Sequence, residues 1–497
     1  MRKQGEISMR RLLTNGVVAL AAIAVGCSSA PPEMAVVQDA AEAMGGADAI
    51  RAATTLVFEG NGTGYRLGQN FSPDSDLPQV EIGSVTLELD LVNHRRRLED
   101  TRANFLGNMV TTTVGIDGNV VFAVGNDGSA RRLGAAGANQ ERAAYYFSAL
   151  ALMQAALVED SEMAATVSNL RQDGMGYNTV DIATRDGVQL TLHLDATTNL
   201  PAMITTTGYN ENLGDVTVSG TLNDWRETDG LMLPWALSIK RDDFPDSDYQ
   251  ATSMAVGGPI GDLAAPAEAA SAPEPEPAQA NVVDEELADG IWHLAGQSHH
   301  SVLVEFPTYG VLIEAPQNDT RALAVIARAR ELLPDDKRLC CLVNTHHHFD
   351  HSGGLRAAVA EGLTVITHEI NADWYRSLVA RPHTVRADHL AQNPAEFMIE
   401  TVKGDEVFEL SEGNRTMQIR RLQNDSHNEG MLVVYLPAER LLIEADVYSP
   451  PRGGPTATNL YEQIQAMGLN VDRIAPIHGQ VVPIADLEKT AMADPVE

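Results

Sequence analysis

Between residues 54 and 241 the chain alternates apolar and polar positions with a period of two, interrupted by Asp, Asn and Gly. TTLVFEGNG, SVTLELDLVN, MVTTTVGIDGNVVFAVG, YNTVDIATRDGVQLTLHLD, AMITTTGYNE, VTVSGTLNDWRE and LMLPWALSIKR all read this way. Such a pattern buries one face and wets the other, which predicts antiparallel strands. MAVVQDAAEAMGG ahead of them and the alanine-rich QERAAYYFSALALMQAAL among them predict helices that pack on the sheet. Residues 36–257 therefore read as a β-rich domain with a few helices.

The stretch GDLAAPAEAASAPEPEPAQANVV then breaks the pattern. Its alternating Pro and Glu stiffen the chain and offer nothing to a core, so residues 258–283 read as a linker. Beyond it, apolar runs alternate with helical ones. HSVLVEF, GVLIEA, LCCLVN, LTVITH, TMQIRRL, MLVVYLP, RLLIEAD and RIAPIH predict strands. Residues 319–333, GLRAAVAE and residues 456–467 predict helices. This interleaving predicts an α/β layered domain over residues 284–497, so the fold class is a two-domain α+β chain.

Composition changes the picture in three places. A formal charge of -33 repels phosphate backbones and argues against a nucleic-acid partner. Three cysteines build no disulfide framework. Cys340 and Cys341 read as small hydrophobes in a buried strand, with a vicinal disulfide as the alternative. The third, Cys27, follows basic MRRLLTNG and the short apolar run VVALAAIAVG. Residues 1–27 resemble a bacterial lipoprotein signal, which implies export and a lipid anchor on Cys27. Ser28 after the cysteine matches sorting to the outer membrane, facing the periplasm; an ordinary secretory peptide, giving a soluble periplasmic or secreted protein, is the alternative.

Twelve of the fourteen histidines follow the linker. The stretch CLVNTHHHFDHSGG follows a buried strand and precedes a helix, which places its side chains in a strand-end loop. In near-extended backbone His346 and His348 project together and His347 points elsewhere. Asp350 and His351 lie on the turn toward a second point, and the glycines after them allow that turn. Further metal-competent residues wait at strand ends: His427 in NDSHNEG, Asp446 ending LLIEAD and His478 ending RIAPIH. His94 and His193 stand alone and read as structural or solvent-facing.

The ordered set His346, His348, Asp350, His351, His427, Asp446 and His478 is similar to the ligand pattern of the metallo-beta-lactamase superfamily. The resemblance implies an αββα sandwich with two zinc ions, or other divalent metals, at one sheet edge. It assigns His346, His348 and His427 to the first metal and Asp350, His351 and His478 to the second. Asp446 bridges them, a bridging hydroxide is the nucleophile, and Asp350 also orients that water or carries its proton. VLIEAP places Glu314 where the pattern usually ends a strand with Asp, a change in support for the ligands rather than in the ligands.

Three further groups are candidates for substrate contact. His299 and His300 in AGQSHHSV lie in the first strands, where the resemblance implies a hairpin close to the metals, so that one of them bonds a substrate oxyanion; a surface histidine pair is the alternative. Tyr448, two residues past Asp446, is read as pointing inward. Residues 370–400, with Trp374, Tyr375, His383 and His389, read as a pocket cover, whereas His368 is no ligand. The function this implies is an exported dinuclear-zinc hydrolase of a small-molecule ester, lactone or amide-like bond, a lactone or β-lactam among them. LHLDATTNLPAMI and WRETDGLMLPWALSI resemble the curved-sheet domains of bacterial lipoprotein-carrier proteins. The alternative function is thus a carrier or binding protein for an apolar ligand, with the metallo-domain as accessory.

Overall fold

A computed structural model describes residues 31–158, 165–276 and 279–492. The signal region with Cys27 lies outside the described residues.

Thirteen antiparallel strands form one continuous sheet in the N-terminal part. The first, Thr55–Tyr65, pairs in mid-sheet with the last, Phe244–Val256. Ala130–Arg132 forms one edge and Thr166–Gln172 the other. Helix Pro32–Ala43 buries Val37, Ala40 and Ala41 and ends in Gly45 and Gly46, whose φ of 114° and 106° suit only glycine. The single helix expected over residues 140–157 is two, Ala135–Tyr145 and Ala149–Leu157. Ser148 divides them because its hydroxyl accepts from Ala151 N and caps the second helix.

The C-terminal part layers as helices, sheet, sheet and helices. A seven-stranded sheet spans Val283–Ala288 to Ile399–Val402, and a six-stranded sheet spans Phe408–Glu412 to Val482–Pro483. Ile313, Val343, Ile366, Val434, Ile443 and Ala475 pack between the two sheets. Helix Asp319–Leu332, capped by Asn318, covers one outer face through Ala322, Val325 and Ala329. Pro455–Ala466 and Ile484–Met492 cover the other through Leu460, Ile464 and Leu487.

The segment read as a linker lies against the N-terminal sheet: Leu263 and Ala269 are buried, Arg132 donates to Ala272 O at 3.1 Å, and Ala265 N donates to Asp117. Pro273, Glu274, Pro275 and Glu276 of the same segment are exposed. Two expectations are corrected. Cys340 and Cys341 are joined to each other, and both are half-buried in the strand Arg338–Val343. Residues 370–400 form no cover over the site. Tyr375 lies fully buried beneath the histidine loop, and its hydroxyl donates to His346 O at 2.9 Å. Trp374 packs between Phe349 and Phe244, and His389 pairs with Glu361 at 2.7 Å.

The two parts share a core. Leu355, Val359, Tyr375, Leu378 and Leu390 pack in the same apolar cluster as the N-terminal helices and sheet. Asp215 accepts from Thr384 N and Val385 N at 2.9 Å, and Arg381 pairs with Asp242. No helix among the described residues is long and apolar enough to cross a membrane.

Candidate metal centre

The site is assembled from strand ends. After Arg338–Val343 the chain passes through Asn344 to His348 and enters the short helix Phe349–Ser352. Asp446 follows the strand Leu441–Glu444, and His478 follows its parallel neighbour Arg473–Pro476, so the two ends lie side by side. His427 precedes Leu432–Leu436, the next strand of the same sheet.

Asp446 stands at the centre. Its Oδ1 lies 3.0 Å from His351 Nε2 and 2.6 Å from His478 Nε2. Its Oδ2 lies 3.0 Å from His427 Nε2 and 3.4 Å from His346 Nε2. One carboxylate therefore faces two sets of imidazoles with separate oxygens. The metal-competent atoms form two adjacent groups, one of His346, His348, His427 and Asp446, the other of His299, Asp350, His351 and His478.

The outward nitrogens face polar groups. Thr345 Oγ1 lies 3.0 Å from His346 Nδ1, and His478 Nδ1 donates to Ser298 O at 2.8 Å. Glu314, fully buried, accepts from Thr345 N at 2.7 Å and sets Oε2 3.4 Å from His351 Nδ1. Such outer partners fix which ring nitrogen is left for the centre. Inside, His346 Nε2 and His348 Nδ1 are buried with no hydrogen-bond partner. Buried imidazole nitrogens without partners are costly in a protein built only to be stable. They fit a site that holds cations.

The electrostatics agree. Burial, with His351 and His348 nearby, holds the His346 pKa well below the usual value. Burial and His427 push His348 down to about 3. Burial works against the ionised forms of Asp350 and Asp446. It is outweighed at Asp350 by the His299 hydrogen bond and the His351 charge, and at Asp446 by the His351 charge, the nearby His346 ring and the bond from His427. Both carboxylates are thus held below the usual range. His351 is the exception: burial would lower it, but Asp446 and Glu314 raise it well above its ordinary value. The carboxylates demand positive charge at this point, and a bound cation supplies it in place of that proton.

The structure sorts the remaining candidates. His347 is no member of either group, its Nδ1 accepting from Asn428 Nδ2 at 3.0 Å. His299 joins the second group, with Nε2 3.2 Å from Asp350 Oδ2. His300 does not: its Nδ1 accepts from Gly296 N, and its ring packs on His293. Tyr448 is turned away, buried in the outer apolar cluster with its hydroxyl 3.5 Å from Thr490 Oγ1. His368 bonds Gly404 O at 3.0 Å, outside both groups. The N-terminal residues Gln69 and Asn70 were not expected here. Gln69 Nε2 donates to Asp350 Oδ1 at 2.8 Å, and His348 Nε2 donates to Asn70 O at 3.1 Å.

The sequence model of the metallo-beta-lactamase superfamily matches residues 294–458, a stretch that holds every residue of the two groups except His478. No curated protein matches the chain. Among solved structures, a metallo-beta-lactamase from Pontibacter korlensis aligns at 18% identity with a TM-score of 0.34, over 42% of this chain and 97% of that one. The metallo-beta-lactamase FIM-1 from Pseudomonas aeruginosa, in its mono-zinc form, aligns at 17% identity with a TM-score of 0.35, over 43% and 95%. A metallo-beta-lactamase from Hirschia baltica aligns at 18% identity with a TM-score of 0.32, over 42% and 96%. With its paired ligand groups, the C-terminal domain is that of a metal-dependent hydrolase.

Proposed function

We propose that the chain is an exported dinuclear zinc hydrolase acting on an ester-, lactone- or amide-like bond of a small molecule. The single observation that carries this reading is Asp446, whose two oxygens face separate imidazole sets at 2.6–3.4 Å. We assign His346, His348 and His427 to one cation, and Asp350, His351 and His478 to its neighbour, with Asp446 between them. Two divalent ions, when bound, supply a water of lowered pKa as nucleophile and Lewis acidity toward the scissile carbonyl.

The chain's own residues do the rest. Glu314 and the Asn70 carbonyl hold His351 and His348 in register. Asp350, ionised and only partly buried, would accept a hydrogen bond from the attacking water and orient it. His299 sits 3.2 Å from that carboxylate, placed either to receive that water's proton or to complete the second ligand group. His427 and His478 keep 27% and 20% of their side chains exposed, so a substrate reaches the centre from solvent.

Metal analysis paired with a panel of lactones, β-lactams, thioesters and phosphodiesters tests the reading. Asp446→Asn tolerates the left-handed backbone at this position (φ 62°) but removes the charge. It should lose the metals and turnover together while remaining folded. Fewer than one metal per chain under zinc-replete conditions, or full activity in Asp446→Asn, would exclude it. Export rests on residues 1–27, and mass spectrometry of membrane-extracted protein should find Cys27 acylated.

One observation favours a second role for the N-terminal domain. Its sheet and helices, with Val385 and Arg386 of the C-terminal part, line an open cavity of about 860 Å³ whose walls include Leu56, Phe58, Phe147 and Ile239. That size and lining suit a small apolar ligand. Titration with a fluorescent acyl probe tests it, and the absence of saturable binding would exclude it. Because the metal centre is open to solvent, this role accompanies hydrolysis rather than replacing it.

A further inference from the structure

Resting on the reading of the paired groups as a metal site, we propose that residues 68–71 of the N-terminal domain are part of that centre. Gln69 and Asn70 are positioning residues for Asp350 and His348. The loop follows the strand Thr55–Tyr65 and is tied to the C-terminal domain at both ends. Phe349 N donates to Gly68 O at 3.1 Å, and Glu429 N donates to Phe71 O at 2.8 Å. The first tie adjoins His348 and Asp350; the second lies two residues past His427. The loop thus spans the gap between two ligand-bearing segments.

Its fit is close. A Cβ on Gly68 would stand 2.2 Å from Phe349 Cγ, and the φ of +73° at Gly68 favours glycine. Asn70 is buried, and its Nδ2 bonds the carbonyls of Ser72, Pro73 and Ser75 at 2.7–3.3 Å, fixing the turn that aims its own carbonyl.

That carbonyl can only accept. His348 must therefore carry its proton on Nε2, 3.1 Å away, which leaves the Nδ1 lone pair for the centre. Nδ1 is the atom found buried without a partner. Gln69 acts on the other group. Its amide occupies Asp350 Oδ1 at 2.8 Å, while Oδ2 faces His299 at 3.2 Å and His351 at 3.9 Å. A carboxylate held by one oxygen presents the other in a fixed direction. Removing partners of this kind weakens metal binding by roughly 10- to 100-fold.

Zinc affinity of the full chain, measured by competition with a chromophoric chelator, tests the proposal. Gln69→Ala should weaken one of the two sites at least about 10-fold. Gln69→Glu keeps the size but removes the donor, so it should lose as much; retained affinity there would reduce Gln69 to packing and overturn its role. Asn70→Ala should weaken the site of His348 and shift the absorption bands of the cobalt-loaded protein. Glu81→Ala, on an exposed strand position of the same sheet, should match wild type. If Asn70→Ala does not fold, the half-buried Gln69 variants decide. A wild-type chain that takes up no metal overturns both the metal reading and this loop's role. Two tightly bound zinc ions, with every variant within twofold of wild type, overturn the loop alone.

Discussion

At the scale of single residues, Glu314 shows how the centre constrains the backbone. Its φ of 65° lies in a region that residues other than glycine, Asn and Asp seldom occupy, and its side chain is fully buried. Backbone of this kind persists only where its surroundings hold it. The holding contacts are the Thr345 amide at 2.7 Å and His351 Nδ1 at 3.4 Å. Glu314→Ala leaves that buried amide without its acceptor, which costs about 1–3 kcal/mol. It also frees the His351 ring, so zinc affinity should fall roughly 10- to 100-fold. Urea melts and chelator competition read these two effects separately, and a variant equal to wild type in both would remove Glu314 from the site. No single His or Asp at a strand end marks a ligand, since Asp is a common turn residue; what the sequence offered was the ordered set, whose members the fold brings together. Tyr448 was misread for a local reason. Strand parity places it inward, but the chain leaves the strand at Asp446, where φ is 62°, and alternation ends there. Gln69 and Asn70 were invisible, since an ordinary polar loop gives no sign of a partner 281 positions away.

Among the secondary-structure elements, the glycines after His351 do a different job from the one their sequence suggests. Neither Gly353 nor Gly354 has positive φ (–63° and –97°), so any residue could make that turn. Space is what requires glycine. A Cβ on Gly354 would stand 2.1 Å from Ala315 O and 2.3 Å from Ala322 Cβ, and one on Gly353 would stand 2.0 Å from Gln317 O. The start of helix Leu355–Ala360 is therefore pressed against the chain that follows Glu314. Gly354→Ala should push the helix outward and cost about 1–3 kcal/mol, read as a lowered melting temperature. Because Asp350 and His351 lie just before this contact, metal affinity should fall with it; an unchanged melting temperature would refute the close-contact argument. The same element explains what periodicity could not convey. Ala357 and Ala358 pack toward the sheet, while Leu355 and Val359 pack toward the N-terminal domain, so the helix is buried on two sides. The strands Arg95–Ala103 and Phe244–Val256 escaped the pattern because RRRLEDTRA is largely polar, FPDSDYQATSMAV does not alternate, and few positions of either are buried. Pairing with neighbours, rather than alternation, holds them in the sheet.

For the whole molecule, the segment read as a linker joins two parts that share a core. Leu355, Val359, Tyr375, Leu378 and Leu390 are all buried in the cluster that the N-terminal sheet completes. A side chain of this size is worth roughly 1.5–3 kcal/mol when fully buried. Uncovering even part of that surface is large against the 5–15 kcal/mol that stabilises a typical domain. The polar contacts point the same way: Asp215 caps Thr384 and Val385, and Asn212 bridges Phe349 O and Ser352 beside the histidine loop at 3.2 and 3.1 Å. Residues 279–492 expressed alone should therefore melt below the intact chain and tend to aggregate through the exposed cluster. They should also bind zinc more weakly, because His348 and Asp350 lose the Asn70 carbonyl and the Gln69 amide. Adding residues 31–258 in trans should recover both properties if the interface reforms. Calorimetry and chelator competition on the separated and recombined pieces measure this directly. A C-terminal piece that melts and binds zinc like the intact chain would show that the N-terminal sheet merely rests against the hydrolase domain. Joint recovery would show that the metal centre belongs to both halves of the chain.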